Sequence, residues 1–300
     1  MKLLVLTIND EKYVPERIKE EGEKLGHQVD CLLYNNIGFY LNGSGVDFFS
    51  PADLKADDYH AYIFRVAGTA GGGYIAFRNQ LILKALAQGK NCLNGNSYLK
   101  FSRMDKLVQH SYFIENKLPV VPTVCLGKNV ESGRFIGLLI DKLGLPIIAK
   151  PRFGSQGRGI CLIRNEKELT RFLSGGGSGK NFDISLWMFQ RFLKTGVDYR
   201  VIVLGGKTLG IMKRTAVKGM FITNFSRGGL VSLGEPDQEK EELALKVAKL
   251  VKLDYGGVDI MEDDQGNKFV LEVNRACQFK GFEQATGVNV AAEIVKYLFY

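Results

Sequence analysis

Short apolar runs alternate with amphipathic segments along the first hundred residues. Apolar runs at Lys2–Ile8, Gln28–Tyr34 and Ala61–Val66 predict buried strands, and the amphipathic segments Pro15–Leu25 and Tyr74–Ala87 predict helices. This alternation favours a parallel α/β domain. No G-x-G-x-x-G motif follows the first run, so the pattern does not indicate a dinucleotide site. The glycines between residues 68 and 73 fit either a substrate loop or a plain turn.

The pattern changes in the second part of the chain, where apolar runs follow one another through tight turns. Runs at Ile147–Lys150 and Ser185–Phe192 predict strands, and Gly205-Gly206 has the composition of a two-residue hairpin turn. Apolar residues at helical spacing predict helices at Pro236–Lys252 and Ala285–Phe299. The second part is therefore predicted to be an antiparallel sheet with helices, an α+β arrangement.

The stretch Tyr255–Asn274 has two β-prone runs around a polar turn. Asp259 and Glu272 are equidistant from the turn, so they are predicted to face each other across a hairpin, and Asn274 shares the face of Glu272. Two carboxylates and an amide oxygen make an all-oxygen site that suits Mg²⁺. The alternative is a surface hairpin with solvated carboxylates. Apolar neighbours on both strands favour the site with a cation.

A glycine-rich loop follows the run that ends at Lys150. Glycines let backbone N–H groups approach an anion, polar side chains add hydrogen-bond partners, and Lys150 supplies a positive charge for a phosphate. The loop residues are Gly154, Ser155, Gln156, Gly157 and Gly159. A mobile turn has a similar composition, so this loop alone does not identify a nucleotide site.

Composition limits the class of protein. The 300 residues are 45% hydrophobic and 24% charged, as in an ordinary globular protein. The five cysteines are scattered and form no CxxC pair, which excludes a zinc or disulfide framework and favours a cytoplasmic location. No apolar run is long enough for a membrane span. The net charge of +8 favours anionic partners, but the basic residues are spread out, which disfavours nucleic acid.

Taken in order, these features resemble the ATP-grasp ligases, most closely the RimK-type branch of glutamate and amino-acid ligases. The resemblance covers about residues 96–292. The matching motifs are Asp105-Lys106, Lys150-Pro151, the loop 154–159, Asp198-Tyr199-Arg200, Asn224 with Arg227-Gly228-Gly229, Asp259, Glu272-Val273-Asn274 and Gly281–Gly287. The implied fold is α/β and α+β. It has an N-terminal pre-ATP-grasp domain at 1–95, a central subdomain with the phosphate loop at 96–184, and a C-terminal subdomain with an adenine hinge and the metal hairpin at 185–300.

The resemblance implies a role for each matching position. The residues expected to bind ATP are Lys106, Lys150, Gly154, Ser155, Gln156, Gly157, Gly159, Gln190, Arg191, Phe192, Leu193, Asp198 and Asn224. Within this set the lysines, the loop and the asparagine face the phosphates, residues 190–193 form the hinge beside adenine, and the aspartate accepts from the ribose. Asp259, Glu272 and Asn274 are expected to hold Mg²⁺, as two ions, with Mn²⁺ as the alternative metal. Catalytic roles are expected for Arg200, Arg214 and Arg275.

Three departures from the family pattern leave the substrate open. Arg191 stands where an acidic hinge residue is common, and Ile222 stands where an arginine is common. The segment Arg275–Lys280 replaces the usual small residue and Pro-Gly. Its two basic ends either hold an acidic substrate or pair with nearby carboxylates.

The implied reaction joins a carboxylate to an amine. The carboxylate attacks the γ-phosphoryl group of ATP to form an acylphosphate, and the amine then displaces phosphate. Positioning and electrostatics carry such chemistry, so no nucleophilic serine or cysteine is required. The expected substrates are ATP, an amino acid such as glutamate, and a peptide, protein or small-molecule acceptor; a homo-oligomer is compatible with the sequence. Competing hypotheses are a non-catalytic ATP- or peptide-binding module and a basic ribosome- or RNA-associated protein.

Overall fold

The computed structural model of the protein describes most of the chain. The described residues are 1–8, 11–43, 45–50, 54–66, 73–103, 105–128, 132–154, 157–176, 182–217, 223 and 228–300. The predicted site residues Ser155, Gln156 and Asn224 lie outside these ranges.

The first hundred residues form a four-stranded parallel sheet with helices packed on it. The elements in chain order are β1 (Lys2–Thr7), α1 (Tyr13–Lys24), β2 (Gln28–Leu33), β3 (Gly38–Asn42), β4 (Gly45–Phe49), β5 (Ala61–Phe64), α2 (Ile75–Ala87), β6 (Asn91–Leu93) and α3 (Gly95–Lys100). The parallel sheet has the order β2-β1-β5-β6, whereas β3 and β4 form a separate hairpin. The predicted parallel α/β organisation is confirmed. The apolar pattern does not predict the hairpin, because β3 is short and largely exposed.

The next part of the chain forms a four-stranded antiparallel sheet. Its elements are α4 (Lys106–Glu115), β7 (Thr123–Cys125), α5 (Ser132–Leu143), β8 (Ile147–Pro151), β9 (Cys161–Ile163), α6 (Glu166–Arg171) and β10 (Trp187–Arg191). The strand order is β7-β10-β8-β9. Helices α5 and α6 cover one face, where Leu139 and Leu169 pack with Ile147 and Phe189. This core contains residues of the middle part of the chain only.

The last third forms a five-stranded antiparallel sheet. Its elements are β11 (Val197–Leu204), β12 (Lys207–Thr215), β13 (Leu230–Leu233), α7 (Gln238–Leu250), β14 (Tyr255–Glu262), β15 (Lys268–Asn274), α8 (Lys280–Thr286) and α9 (Val290–Phe299). The strand order is β13-β12-β11-β14-β15. Gly205 and Gly206 have φ of +57° and +77°, as a tight hairpin turn requires, which confirms the predicted turn. The predicted α+β arrangement is also confirmed.

The C-terminal helix differs from its prediction. A single helix at Ala285–Phe299 is wrong, because α8 ends before Gly287 and α9 begins after Asn289. Gly287 has φ of +74°, a conformation that suits glycine at a helix end, and the Asn289 side chain accepts from the Ala292 N–H at 3.0 Å. The apolar spacing continues across this break, so it does not reveal the break.

The N-terminal sheet and the five-stranded sheet share one hydrophobic core. Leu3 and Val5 of β1 pack in the same cluster as Ile202 and Leu204 of β11 and Ile294 of α9. The middle sheet has its own core, so a cleft lies between it and the five-stranded sheet. The domain boundaries at 95 and 184 stay predictions. In the described part of the chain, no helix has the length and apolar character needed to cross a membrane.

Candidate active site

The hairpin β14–β15 places the two predicted metal carboxylates side by side. Asp259 pairs with Glu272, and Asn274 pairs with Gly257 on the same strand pair. The predicted pairing of the two acidic residues is therefore confirmed. In the described part of the chain, no three His, Cys, Asp or Glu side chains are grouped to hold a metal, so a metal here would use these two carboxylates with the Asn274 amide and with ligands from a substrate.

The pairing depends on a β-bulge. Near the turn Ile260 pairs with Val270, whereas the next pair is Asp259 with Glu272. Leu271 is therefore the extra residue of β15. Continued regular pairing from the turn would instead place Glu272 opposite Val258, on the other face of the sheet. The bulge thus directs Glu272 to the same face as Asp259.

Two arginines hold the Asp259 carboxylate. Arg200 donates from Nε to Oδ1 and from Nη2 to Oδ2, both at 2.7 Å, and Arg214 Nη2 lies 3.0 Å from Oδ2. Burial alone would raise the pKa of Asp259, but the charges of Arg200 and Arg214 outweigh it and lower that pKa. A carboxylate has about four lone-pair positions, and the described residues use three of them, which leaves one on Oδ1 for a cation.

The same arrangement extends to Asp198. Arg214 Nε donates to Asp198 Oδ1, and the Thr223 hydroxyl donates to Oδ2. Burial raises the pKa of Asp198, and Arg214 opposes that rise. Both oxygens of Asp198 therefore already have a protein partner. Acceptance from a ribose hydroxyl would use a remaining lone pair and stays a prediction.

Glu272 faces the lysine at the start of α4. Lys106 Nζ lies 3.8 Å from Glu272 Oε2 and donates to the Gly154 carbonyl at 2.8 Å. Asn274 Nδ2 donates to Glu272 Oε1 at 3.0 Å. Asp105 caps α4 by accepting from the Leu107 N–H at 2.8 Å, which fixes the helix start that carries Lys106. Lys106 thus connects the glycine loop to the acidic hairpin.

Lys150 approaches from the opposite sheet. It lies on β8 and is only 8% exposed. Burial lowers its pKa from 10.5 to about 8, while the charge of Glu272 opposes the shift and that of Lys106 adds to it. A buried ammonium without a carboxylate in direct contact among the described residues is well placed to receive an anion.

A cavity of about 270 Å³ lies between the two antiparallel sheets. The predicted residues among its described lining are Lys106, Lys150, Gly154, Gly157, Gln190, Arg191, Phe192, Leu193, Asp198, Arg214, Asp259 and Glu272. Apolar walls come from Ile148 on one sheet and from Met261 and Leu271 on the other. The described lining has six basic and three acidic side chains, so the cavity favours a polyanion.

Other predicted residues do not reach this lining. Arg200 lies behind Asp259, and Gly159 packs beside Pro151. Arg275 donates to the Ser97 and Phe101 carbonyls at 2.7 and 2.6 Å, and burial lowers its pKa to about 10. Neither an acidic substrate nor a carboxylate pair explains these contacts. The structure gives Arg275 a place at the end of α3, and its predicted catalytic role stays a prediction.

Three side chains at the site are absent from the sequence prediction. Thr223 donates to Asp198 and lines the cavity. Gln109 and His110 hydrogen-bond to the backbone of β15. These two residues follow Lys106 by three and four positions, so the helical period places all three on one face. That spacing was the available signal for Gln109 and His110.

Comparison with known proteins identifies the family. A model of the RimK-like ATP-grasp domain matches residues 103–298. The chain belongs to the RimK-like ATP-grasp family. A relative in Pseudoalteromonas atlantica, named probable alpha-L-glutamate ligase 2, is 30% identical over 99% of this chain and 95% of its own length. This RimK-like chain is thus an ATP-grasp ligase, an enzyme of the class that forms amide bonds with ATP.

Solved structures share the fold of this RimK-like ligase. The ATP-grasp ligase PsnB, complexed with a phosphomimetic variant of its minimal precursor, Mg and ADP, aligns with a TM-score of 0.74 at 19% identity, covering 99% of this chain and 97% of that one. The macrocyclase MdnC from Microcystis aeruginosa, bound with its precursor peptide MdnA, aligns with a TM-score of 0.71 at 14% identity over 99% of each chain. The predicted ATP-grasp fold is confirmed.

Proposed function

We propose that this ligase uses ATP and Mg²⁺ to add an amino acid such as glutamate to the carboxylate of a peptide, a protein or a small acceptor. The supporting observation is a basic cavity between two sheets that borders the pair Asp259–Glu272. The amino acid is inferred from the names of the relatives, and a peptide acceptor is inferred from the precursor peptides bound to PsnB and MdnC.

The nucleotide would lie along the cavity from hinge to hairpin. Phe192 and Leu193 follow β10 and would offer backbone groups to adenine, while Ile148 and Met261 would contact its faces. Lys150 and Lys106 approach the other end from different elements and would contact the phosphates. We assign loop residues 154–159 and Asn224 to the phosphates as well, by the family resemblance.

The acidic hairpin would hold the metal. Asp259, Glu272 and Asn274 present oxygen atoms, which suit Mg²⁺ and also accept Mn²⁺. Bound Mg²⁺ would supply positive charge to the phosphate oxygens of ATP. We assign two ions here. Arg200 fixes the Asp259 carboxylate from behind, so the chain itself orients this ligand before any metal binds.

The transfer needs little covalent chemistry from the protein. The carboxylate oxygen forms a bond to the γ-phosphorus while ADP leaves, and the amine then bonds to the carbonyl carbon while phosphate leaves and the amine loses a proton. Arg214 lines the cavity next to Asp259 and would stabilise the negative charge of the transferred group. Exclusion of water from the cavity between the two sheets, once the substrates fill it, would protect the acylphosphate.

A panel assay tests this function. The protein is incubated with Mg·ATP and with pairs of amino acids and short peptides, ADP is measured, and products are weighed by mass spectrometry. We expect ADP and a product heavier by one amino-acid residue, with glutamate the first amino acid to test. Glu272→Gln removes one charge of the hairpin at constant size and is expected to reduce turnover by at least about 100-fold.

The panel also discriminates the alternatives. Nucleotide binding without ADP formation for any pair would favour the non-catalytic module. Turnover of Glu272→Gln at the wild-type rate would contradict the assignment of the hairpin to the metal.

A further inference from the structure

The outer edge of β15 is covered by helix α4 and, beside the bulge, by the segment Pro119–Val120, where Val120 forms an isolated bridge to Val270 and the Pro119 carbonyl accepts from the Val270 N–H at 2.8 Å. Strand β15 is the last strand of its sheet, with β14 on its inner side. Gln109 Oε1 accepts from the Val273 N–H at 2.9 Å, and His110 Nε2 lies 2.9 Å from the Leu271 carbonyl oxygen. Two adjacent side chains of α4 therefore bind the backbone on either side of Glu272.

The contact with Leu271 determines which ring nitrogen of His110 carries the hydrogen. Leu271 offers a carbonyl oxygen, which only accepts, so Nε2 must carry the hydrogen. His110 is 2% exposed, and its Nδ1 is buried without a hydrogen-bond partner. Burial, with the nearby charge of Lys150, lowers the pKa of His110 to about 4, so the ring is neutral at physiological pH. The Nε2–H bond to Leu271 is thus the one polar contact that the described structure gives this ring.

His110 contacts Leu271, the bulge residue that determines the pairing register between β14 and β15. Leu271 is the extra residue of the bulge, and the bulge brings Glu272 opposite Asp259. A bulge removes one residue from regular ladder pairing, so its backbone groups need other partners. His110 supplies that partner for the Leu271 carbonyl, and Gln109 holds the backbone two residues further along.

The same helix also carries Lys106. Lys106 begins α4 and faces Glu272 at 3.8 Å, one helical turn before Gln109 and His110. A single rigid element therefore fixes the backbone that carries Glu272 and the lysine that faces it.

We propose that His110 and Gln109 are positioning residues for the metal site, which hold the bulge at Leu271 so that Glu272 faces Asp259. This inference rests on the proposed function, because it takes Glu272 as a metal ligand. Neither side chain lines the described cavity, so both act through Glu272 and do not touch substrate. Loss of either bond leaves a buried backbone group unpaired and frees the bulge to change register.

Metal binding measured without turnover tests the proposal. Free Mn²⁺ is titrated by electron paramagnetic resonance in the presence of a non-hydrolysable ATP analogue, for the wild type, His110→Leu, His110→Gln and Gln109→Met. We expect His110→Leu and Gln109→Met to raise the Kd for Mn²⁺ on the order of tenfold, as loss of a group that orients a metal ligand does. His110→Gln is expected to recover much of the affinity, because its amide N–H reaches about as far as Nε2 and can donate to Leu271.

A matched control separates positioning from general destabilisation. Val247 lies on α7, is fully buried in the core under the five-stranded sheet, and belongs to neither α4 nor β15. Val247→Ala should lower the Tm and leave the Kd for Mn²⁺ unchanged. Equal Mn²⁺ affinity in the wild type and in His110→Leu would overturn this inference alone. No Mn²⁺ binding by the wild type would overturn the metal assignment in the proposed function, and this inference with it.

Discussion

At the scale of single residues, charge is balanced locally around Asp259. The buried side chains Asp198, Arg214, Asp259 and Arg200 alternate in sign, and each contacts the next. Gly257 makes room for this arrangement, since a Cβ there would lie 3.0 Å from Arg200 Cδ. The four charges cancel, so the cations that remain at the cavity, including Lys106 and Lys150, are available to phosphates.

Lys150 gives a pH-dependent prediction. Its pKa is lowered to about 8 by burial, whereas a bound phosphate favours the charged ammonium. Below pH 8 the lysine already carries its proton, and above pH 8 binding must take up a proton, so affinity falls as pH rises. Calorimetric titration with ADP in EDTA is expected to show a Kd on the order of tenfold higher at pH 9.5 than at pH 7.5.

The control for this prediction is Lys150→Met. It should bind ADP more weakly at both pH values and lose most of the pH dependence. A wild-type Kd that stays constant from pH 7.5 to 9.5 would contradict the role of Lys150.

The sequence predicted the positions of single residues correctly where the two-residue period of a strand determines which side chains face each other. Asp259 and Glu272 could be paired because they are equidistant from the turn, although the bulge at Leu271 that completes the pairing leaves no mark in the spacing. Arg275 shows the limit. Its position after Asn274 predicts nearness to the metal, but its partners are backbone carbonyls 174 to 178 residues away in the chain. The spacing of residues along a strand predicts which face of the sheet a side chain lies on, but it does not predict which distant residue that side chain contacts.

At the scale of elements, Asn94 joins the parallel sheet to the acidic hairpin. It follows β6 in a left-handed conformation, with φ of +61°. Its side chain donates to the Tyr255 and Arg275 carbonyls at 2.7 and 2.9 Å and accepts from the Asp254 and Tyr255 N–H groups at 2.8 and 3.0 Å. One buried amide thus satisfies four backbone groups at the two ends of the hairpin.

We predict that Asn94→Ala lowers the free energy of unfolding by about 2–4 kcal/mol, because buried backbone groups lose their partners and alanine disfavours positive φ. Urea unfolding monitored by circular dichroism measures this loss. Asn91→Ala is the matched control, since within the described structure the Asn91 side chain makes one hydrogen bond, to the Leu298 carbonyl, and this variant should lose less than about 1 kcal/mol. Equal losses of unfolding free energy in the two variants would contradict the role of Asn94 in joining the parallel sheet to the hairpin.

Element boundaries followed from the sequence wherever a glycine or a clear apolar period marks them. Helix α2, predicted at Tyr74–Ala87 and found at Ile75–Ala87, and the turn at Gly205-Gly206 agree with their predictions. The split between α8 and α9 does not, because the apolar period runs across Gly287 and outweighed the glycine. Strands β7, β9 and β13 have at most four residues each, too few to show a period.

At the scale of the whole molecule, the two sheets that border the cavity belong to different hydrophobic cores. The five-stranded sheet shares its core with the N-terminal sheet, whereas the middle sheet is built on its own core. The middle sheet and the residues that follow it contribute Lys150 and residues 190–193 to the cavity lining, and the five-stranded sheet contributes the acidic hairpin. The order of the motifs assigned Lys150 and the acidic hairpin to different subdomains, but it placed residues 190–193 with the hairpin, whereas β10 lies in the middle sheet. The sequence could not predict the second substrate, because the segment Arg275–Lys280 departs from the family pattern.

Activation of a carboxylate as an acylphosphate is the step on which the proposed function depends, and it can be followed by oxygen transfer to phosphate. For the substrate pair that forms product in the panel, the carboxylate is labelled with ¹⁸O, and the released phosphate is analysed by mass spectrometry. We expect each phosphate to carry one oxygen from the carboxylate, because the C–O bond breaks when the amine attacks. Product formation with unlabelled phosphate would contradict the acylphosphate route.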